Sequence, residues 1–178
     1  MLEELVRAAR QAGAVILDVY KRDFEAMRKA DHSPVTEADT AAEAVILKAL
    51  AALDPKTPVV AEEQAAANGI PTEAAGRFFL VDPLDGTKEF IAKNGEFTVN
   101  IALIEDGKPV LGVVYLPALD LCYTGLCYAG ADGRAARRKG TGTPEAITAR
   151  PAPAGGLTMA ISRSHADKEI ERVKELGL

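Results

Sequence analysis

The chain has 178 residues, 48% of them hydrophobic and 26% charged, enough for one globular core or for one domain and part of another. A net charge of −5 leaves no electrostatic case for nucleic acid or an anionic membrane, so a small anionic substrate needs local positive charge from a metal or a few Arg and Lys. The start, MLEELVRAARQAG, is charged and amphipathic rather than a signal peptide, and no apolar run approaches membrane-spanning length, so the expectation is a soluble cytoplasmic protein.

Residues Leu2–Tyr20 carry apolar side chains at 2, 5, 6, 9, 12, 16, 19 and 20, a helical stripe that faces a core. Residues 21–30 are charged and irregular and read as either a strand or a loose connector. Residues 31–36, DHSPVT, have turn chemistry, with His32 part of that turn. Thr36 is a good N-cap with Asp39 three positions on, which predicts a second amphipathic helix over Glu37–Leu53, ending before Asp54-Pro55. Taken alone, Asp39 is an acid favoured in a first helical turn. Residues 57–61 read as a strand, with Glu62 and Glu63 at its end. By themselves these are a solvated edge. Residues 64–76 show little periodicity and read as a mobile surface loop.

Residues 78–90, FFLVDPLDGTKEF, concentrate the chemistry. The apolar run Phe78-Phe79-Leu80-Val81 reads as a buried strand, and Pro83 keeps it extended to Asp82. A turn lets Asp82 and Asp85 converge. Gly86 permits unusual backbone angles, and Thr87 can open a short helix over 87–92, ended by Asn94-Gly95. Carboxylates hold a hard cation such as Mg²⁺, and N–H groups at a helix start hold phosphate, so the stretch suggests metal-assisted phosphate chemistry. It is no EF-hand, because Leu84 and Lys93 stand where such a loop needs acids.

Beyond it, residues 96–104 alternate as a strand, residues 105–108 form a hairpin turn, and residues 109–116 return. A further strand over 120–128 precedes a Gly-rich turn at 130–133. Cys122 and Cys127 read as two core thiols, on opposite sides in a regular strand, and with two distant histidines they make no zinc site. Arg134, Arg137, Arg138 and Lys139 read as a solvated hairpin rather than a phosphate contact. No P-loop is present. Residues 147–149 close the sheet. Residues 151–156, PAPAGG, are a linker. A strand over 157–161 and a helix over 167–176 then look like the first elements of a second αβ domain, since they cannot bury their own faces alone.

The string Asp82-Pro83-Leu84-Asp85-Gly86-Thr87 after an apolar strand resembles the signature of the lithium-sensitive, Mg²⁺-dependent phosphatases of the inositol monophosphatase superfamily. Its continuation through Lys88-Glu89-Phe90-Ile91 and residues 94–104 is most similar to the 3'(2'),5'-bisphosphate nucleotidase branch. The likeness runs from the N-terminal helix to Ser162-Arg163-Ser164-His165. It implies an α/β layered, sugar-phosphatase fold of the inositol-monophosphatase and fructose-bisphosphatase kind. Residues 1–150 would be the metal-binding phosphatase domain, and residues 157–178 the start of a second domain that is largely missing.

The implied reaction is hydrolysis of adenosine 3',5'-bisphosphate to AMP and phosphate, recycling a by-product of sulfate assimilation, with the 3'-phosphoadenylyl sulfate analogue also accepted. Two or more Mg²⁺ ions are implied as cofactors. The resemblance assigns Glu62, Asp82 and the Leu84 carbonyl to one ion, and Asp82 and Asp85 to another. It assigns phosphate contacts to Gly86 and Thr87, and makes Thr87, oriented by Asp39, the group that positions the attacking water. Arg163 and His165 become candidate nucleotide contacts; on their own they read as a capping loop. Glu63 is the second candidate at the Glu62 position. The family also carries a Trp-Asp motif in its second half, whereas this sequence has no Trp. Exposed core from the absent part would favour a homo-oligomer or a complementing chain. The rival expectations are an inositol monophosphatase-like or fructose-bisphosphatase-like sugar phosphatase, and a catalytically inactive metal- or nucleotide-binding module.

Overall fold

The computed structural model describes residues 1–29, 34–70, 76–127, 133–155 and 171. The chain divides into two compact units, Met1–Ile147 and Thr148–Leu178. In the second, the strand expected over 157–161 and the candidates Arg163 and His165 lie outside the described residues, as does His32 in the first.

Two helices, α1 (Leu2–Tyr20) and α2 (Glu37–Leu53), fall where periodicity and capping place them. Helix α1 buries Leu5, Ala9, Ala12, Ile16 and Val19, and α2 buries Ala38, Ala42, Ile46 and Leu50. They pack on each other, and α1 lies on a seven-stranded sheet. Its strands are β3 (Val59–Ala61), β4 (Arg77–Asp85), β5 (Thr98–Glu105), β6 (Lys108–Leu116), β7 (Leu121–Leu126), β8 (Arg134–Lys139) and β9 (Glu145–Ile147), in that spatial order. Among the described strands only the β3–β4 pair is parallel, so the sheet is largely antiparallel. The period-2 residues Phe79, Val81, Val99, Ile101, Leu103, Leu111 and Val113 are buried within the same core as the two helices. Each such side chain contributes roughly 1.5–3 kcal/mol by leaving water.

Two local devices fix the layers. A Cβ at Gly13 would stand 2.5 Å from the Tyr115 ring, so this position of α1 admits only glycine at its present distance from β6. The Tyr115 hydroxyl donates to Asp120 at 3.0 Å, and Arg10 of α1 pairs with the same carboxylate at 2.8 Å. The β5–β6 hairpin turns through Asp106 and Gly107 with φ of 48° and 74°, the mirror-image turn that suits strand twist.

The structure departs from the sequence reading in six places, the first being the closing strand, which is residues 145–147 and not 147–149. Residues 26–28 and 34–36 form a separate antiparallel ribbon, β1 (Ala26–Arg28) with β2 (Pro34–Thr36), so the end of the expected turn is a strand. Residues 62–68 are a helix, α3 (Glu62–Asn68), not a loop. Strand β4 does not stop at Asp82 but runs to Asp85 through an irregularity in register. A short 3₁₀ turn, Pro117–Leu119, joins β6 to β7. Cys122 is buried, but Cys127 lies past the end of β7 and is exposed, so only one of the two thiols is in the core.

Among the described residues no helix is long and apolar enough to cross a membrane.

Candidate active site

A regular strand would send Asp82 and Asp85, three residues apart, to opposite faces. The register slip between them corrects this. Asp82 pairs with Asn100 and Asp85 with Thr98, while Pro83 and Leu84 between them are both buried. The slip acts as a bulge, which tolerates a proline inside a strand. Asn100 then donates to Asp85 at 3.2 Å and accepts from Thr98 at 2.9 Å.

Past the strand end, α4 (Thr87–Ile91) begins after Gly86, whose φ is +90°. A Cβ there would face the Glu96 carbonyl at 2.9 Å, so both backbone angle and space call for glycine. The helix is held by Phe90, whose ring packs on Tyr20, Phe24 and Phe97 with centroids 4.9–5.3 Å apart. Lys93 stands over the Tyr20 and Phe24 rings at 4.6 and 4.5 Å.

Asp39 joins this strand end to α2. Thr36 closes a capping box, its N–H donating to Asp39 Oδ2 at 2.7 Å and its hydroxyl accepting from the Ala38 N–H at 3.2 Å. The Thr36 hydroxyl also donates to Asp39 Oδ2 at 2.7 Å. The other oxygen, Oδ1, accepts from the Thr87 hydroxyl at 3.1 Å, and that hydroxyl is also 3.2 Å from the Leu84 carbonyl. Burial raises the Asp39 pKa, and the bonds from Thr36 and Thr87 oppose the rise.

Glu62 reaches the site from the neighbouring strand. The parallel register Ala61↔Val81 makes the next residues, Glu62 and Asp82, neighbours across the strand ends. Burial, the Glu62 charge, a hydrogen bond with Glu62 and the Asp85 charge push Asp82 up to about 8, against the Leu84 N–H, which favours the anion. Asp82 Oδ1 is buried and has no hydrogen-bond partner.

Two residues of this corner had no role in the sequence reading. Glu43, 4% exposed, accepts from the Glu63 N–H at 2.8 Å and the Gln64 N–H at 3.0 Å, so a side chain of α2 caps α3. Burial raises its pKa, and the two N–H bonds counter that. Its only sequence signal is a second acid, four residues after Asp39, in the buried stripe of α2. Lys29 places its ammonium 2.6 Å from Glu62 and 2.7 Å from Glu63. Burial lowers the Lys29 pKa, but the two carboxylates outweigh it and leave it above its ordinary value.

Among the described residues no three His, Cys, Asp or Glu side chains are gathered as a group that could hold a metal as they stand. The expected ligands Glu62, Asp82 and Asp85 interact, but Glu62 is engaged by Lys29 and Asp85 by Asn100. The donor chemistry nevertheless fits a hard cation. It consists of carboxylate oxygens, one of them buried and unpaired, with like charges crowded enough to raise a pKa. The structure therefore brings together Asp39, Thr87 and Leu84 on one side, and Glu62, Asp82 and Asp85 on the other.

Residues 1–175 match the model of the inositol monophosphatase family. The chain is 49% identical to the 3'(2'),5'-bisphosphate nucleotidase CysQ of Salmonella typhimurium over 99% of its own length and 70% of that protein. Among solved structures it is similar to CysQ from Bacteroides thetaiotaomicron, with TM-score 0.66 and 31% identity over 98% of this chain and 68% of that one. It is also similar to the extragenic suppressor protein suhB from Bartonella henselae, with TM-score 0.64 and 33% identity over 74% of this chain and 50% of that one.

Proposed function

This chain belongs to the inositol monophosphatase family, and from that premise we propose that it is a Mg²⁺-dependent phosphomonoesterase of the cytoplasm that converts adenosine 3',5'-bisphosphate to AMP and phosphate. The choice of a nucleotide rests on the likeness to a bisphosphate nucleotidase. The observation that carries the metal dependence is Asp82, whose buried, unpaired oxygen sits beside two further carboxylates.

Glu62, Asp82, the Leu84 carbonyl and Asp85 are the residues that would hold the cations, two or more of them. When bound, those ions supply neutralisation of phosphate charge and acidification of water. The remaining steps belong to the chain. The Thr87 hydroxyl has one hydrogen, which it gives to Asp39 Oδ1 or to the Leu84 carbonyl, and in either case its oxygen is left as an acceptor. An acceptor fixed in this way can take one hydrogen of the attacking water and aim its oxygen at phosphorus. Asp39 is a positioning residue, because the capping box fixes its carboxylate and so the Thr87 rotamer. Gly86 and Thr87 N–H groups would meet the phosphate, and Arg163 and His165 the nucleotide.

A second reading is a metal- or nucleotide-binding module without turnover, favoured by the lack of a three-carboxylate group among the described residues. One assay separates the readings: phosphate release from adenosine 3',5'-bisphosphate with Mg²⁺, with chelator, and in parallel from inositol 1-phosphate. Chelator-sensitive turnover selective for the nucleotide is the expected result. Equal or better turnover of inositol 1-phosphate would make it a sugar phosphatase. Binding of either substrate without turnover, by folded protein, would leave the binding module.

A further inference from the structure

We propose that Glu43 is a positioning residue for the metal site: from α2 it holds the first turn of α3 where Glu62 neighbours Asp82, and so sets the affinity for the divalent ion. The inference rests on the metal-dependent reading above.

Three observations carry it. First, Glu43 is a buried acid to which the reaction above gives no role. Among the described residues the buried charged side chains are Asp39 and Glu43, at 1% and 4% exposure. Burying a carboxylate is costly unless its oxygens are matched. Those of Glu43 take the Glu63 N–H at 2.8 Å and the Gln64 N–H at 3.0 Å. Second, α3 has little else to fix its backbone. Its N-cap position is Ala61, which makes no side-chain cap and is itself packed in the core, and none of its seven residues is buried. Lys29 pairs with the Glu62 and Glu63 side chains, not with the helix backbone. Glu62 is the first residue of α3, so the two bonds just after it decide where its side chain starts from. Third, Asp39 and Glu43 stand four residues apart on α2, neighbours on one face and about 6 Å apart along the axis. Each serves a helix that opens at a strand end. Asp39 holds Thr87 at the start of α4, after β4, and Glu43 holds the start of α3, after β3. Strands β3 and β4 are parallel neighbours, about 5 Å apart. The spacing of the two acids along the helix therefore matches the spacing of the two strand ends, and α2 sets Thr87 and Glu62 in one register. A group that touches no ion but orients a ligand typically changes metal affinity roughly 10–100-fold when it is lost.

The test measures Mg²⁺ binding to the whole chain by calorimetry, without substrate, together with amide hydrogen exchange at Glu63 and Gln64 and urea unfolding in chelator. Glu43→Asp keeps the charge but draws the carboxylate back by one methylene. Glu43→Gln keeps the reach but offers one acceptor oxygen, uncharged, to two N–H groups. Both should bind Mg²⁺ about tenfold more weakly than wild type and exchange those two amides faster. Ala44→Gly loosens the same helix at an exposed position. It should unfold at lower urea than wild type yet bind Mg²⁺ as wild type does. Wild-type affinity in Glu43→Asp, with only Glu43→Gln weakened, would mean that Glu43 acts through charge alone and would overturn the positioning role. Equal weakening in Ala44→Gly would reduce the effect to loss of helix stability and overturn it too. Either result leaves the metal site in place. A wild-type chain that binds no Mg²⁺ would instead overturn the metal reading and this proposal with it.

Discussion

Asp39 and Asp82 are both carboxylates of the same corner, and burial raises the pKa of both. Asp39 is the more buried, at 1% exposure, yet both of its oxygens are matched by donors from Thr36 and Thr87. Asp82 keeps one buried oxygen unpaired and stands beside Glu62 and Asp85. An acid whose partners lie within the chain holds the fold together. An acid crowded by like charge is held at a cost, which a bound cation would offset.

Asp82→Asn gives the largest effect and tests the comparison most directly. Phosphate release should fall by about 10³-fold, and retained activity would sink the assignment of Asp82 to the metal. The same substitution should stabilise the metal-free protein. The folded pKa of about 8 lies above the unfolded value near 3.9. The penalty of ionising Asp82 is therefore absent below about pH 4, grows between pH 4 and 8, and is complete above. Urea unfolding in chelator should show Asp82→Asn more stable than wild type by about 1–3 kcal/mol at pH 8, and equal to it at pH 4.

Asp39→Ala should do the reverse. It strands the Thr36 N–H and removes the Thr87 acceptor, so it should cost roughly 2–3 kcal/mol in the same unfolding experiment. If Asp39→Ala were neutral while Asp82→Asn destabilised, the comparison would be the wrong way round. Glu43→Gln sharpens it on a smaller scale. One amide oxygen replaces two carboxylate oxygens, so about 1 kcal/mol should be lost, with faster hydrogen exchange at Glu63 and Gln64. The smallest effect lies away from the site. Burial and the bond to Asp120 push the Tyr115 phenol up to about 12. The folded protein keeps this proton where the unfolded chain loses it, so stability falls between about pH 10 and 12. Absorbance at 295 nm should show one of the four tyrosines ionising late, a component absent in Tyr115→Phe.

Much of this was legible because its causes are local. The spans of α1 and α2 follow from apolar spacing and from Thr36 with Asp39, all within a turn or two. The β5–β6 hairpin follows from Asp106-Gly107. Helix α3 was missed because its causes are distant. None of its residues is buried, so it shows no apolar stripe, and its cap is Glu43, twenty positions upstream. The end of β4 has a related cause: the polar run after Asp82 reads as a turn, but the ladder with β5 resumes at Asp85↔Thr98, a pairing that only the partner strand supplies. Lys29 sat in a stretch with no pattern, and only the fold brings it to Glu62 and Glu63, more than thirty residues away.

The strand order also has a consequence for the rate at which the chain folds. From β4 to β9 each strand lies beside its successor, so the sheet can zip from one end by closing short loops. The Thr87–Asp39 bond spans 48 residues and waits for α2 to dock. We expect pulse-labelled exchange during refolding to protect the β5–β6 amides before those of Thr36 and Ala38. Simultaneous protection would contradict this. On that order the chain would pass through a stage in which its scaffold is built and its chemistry is not.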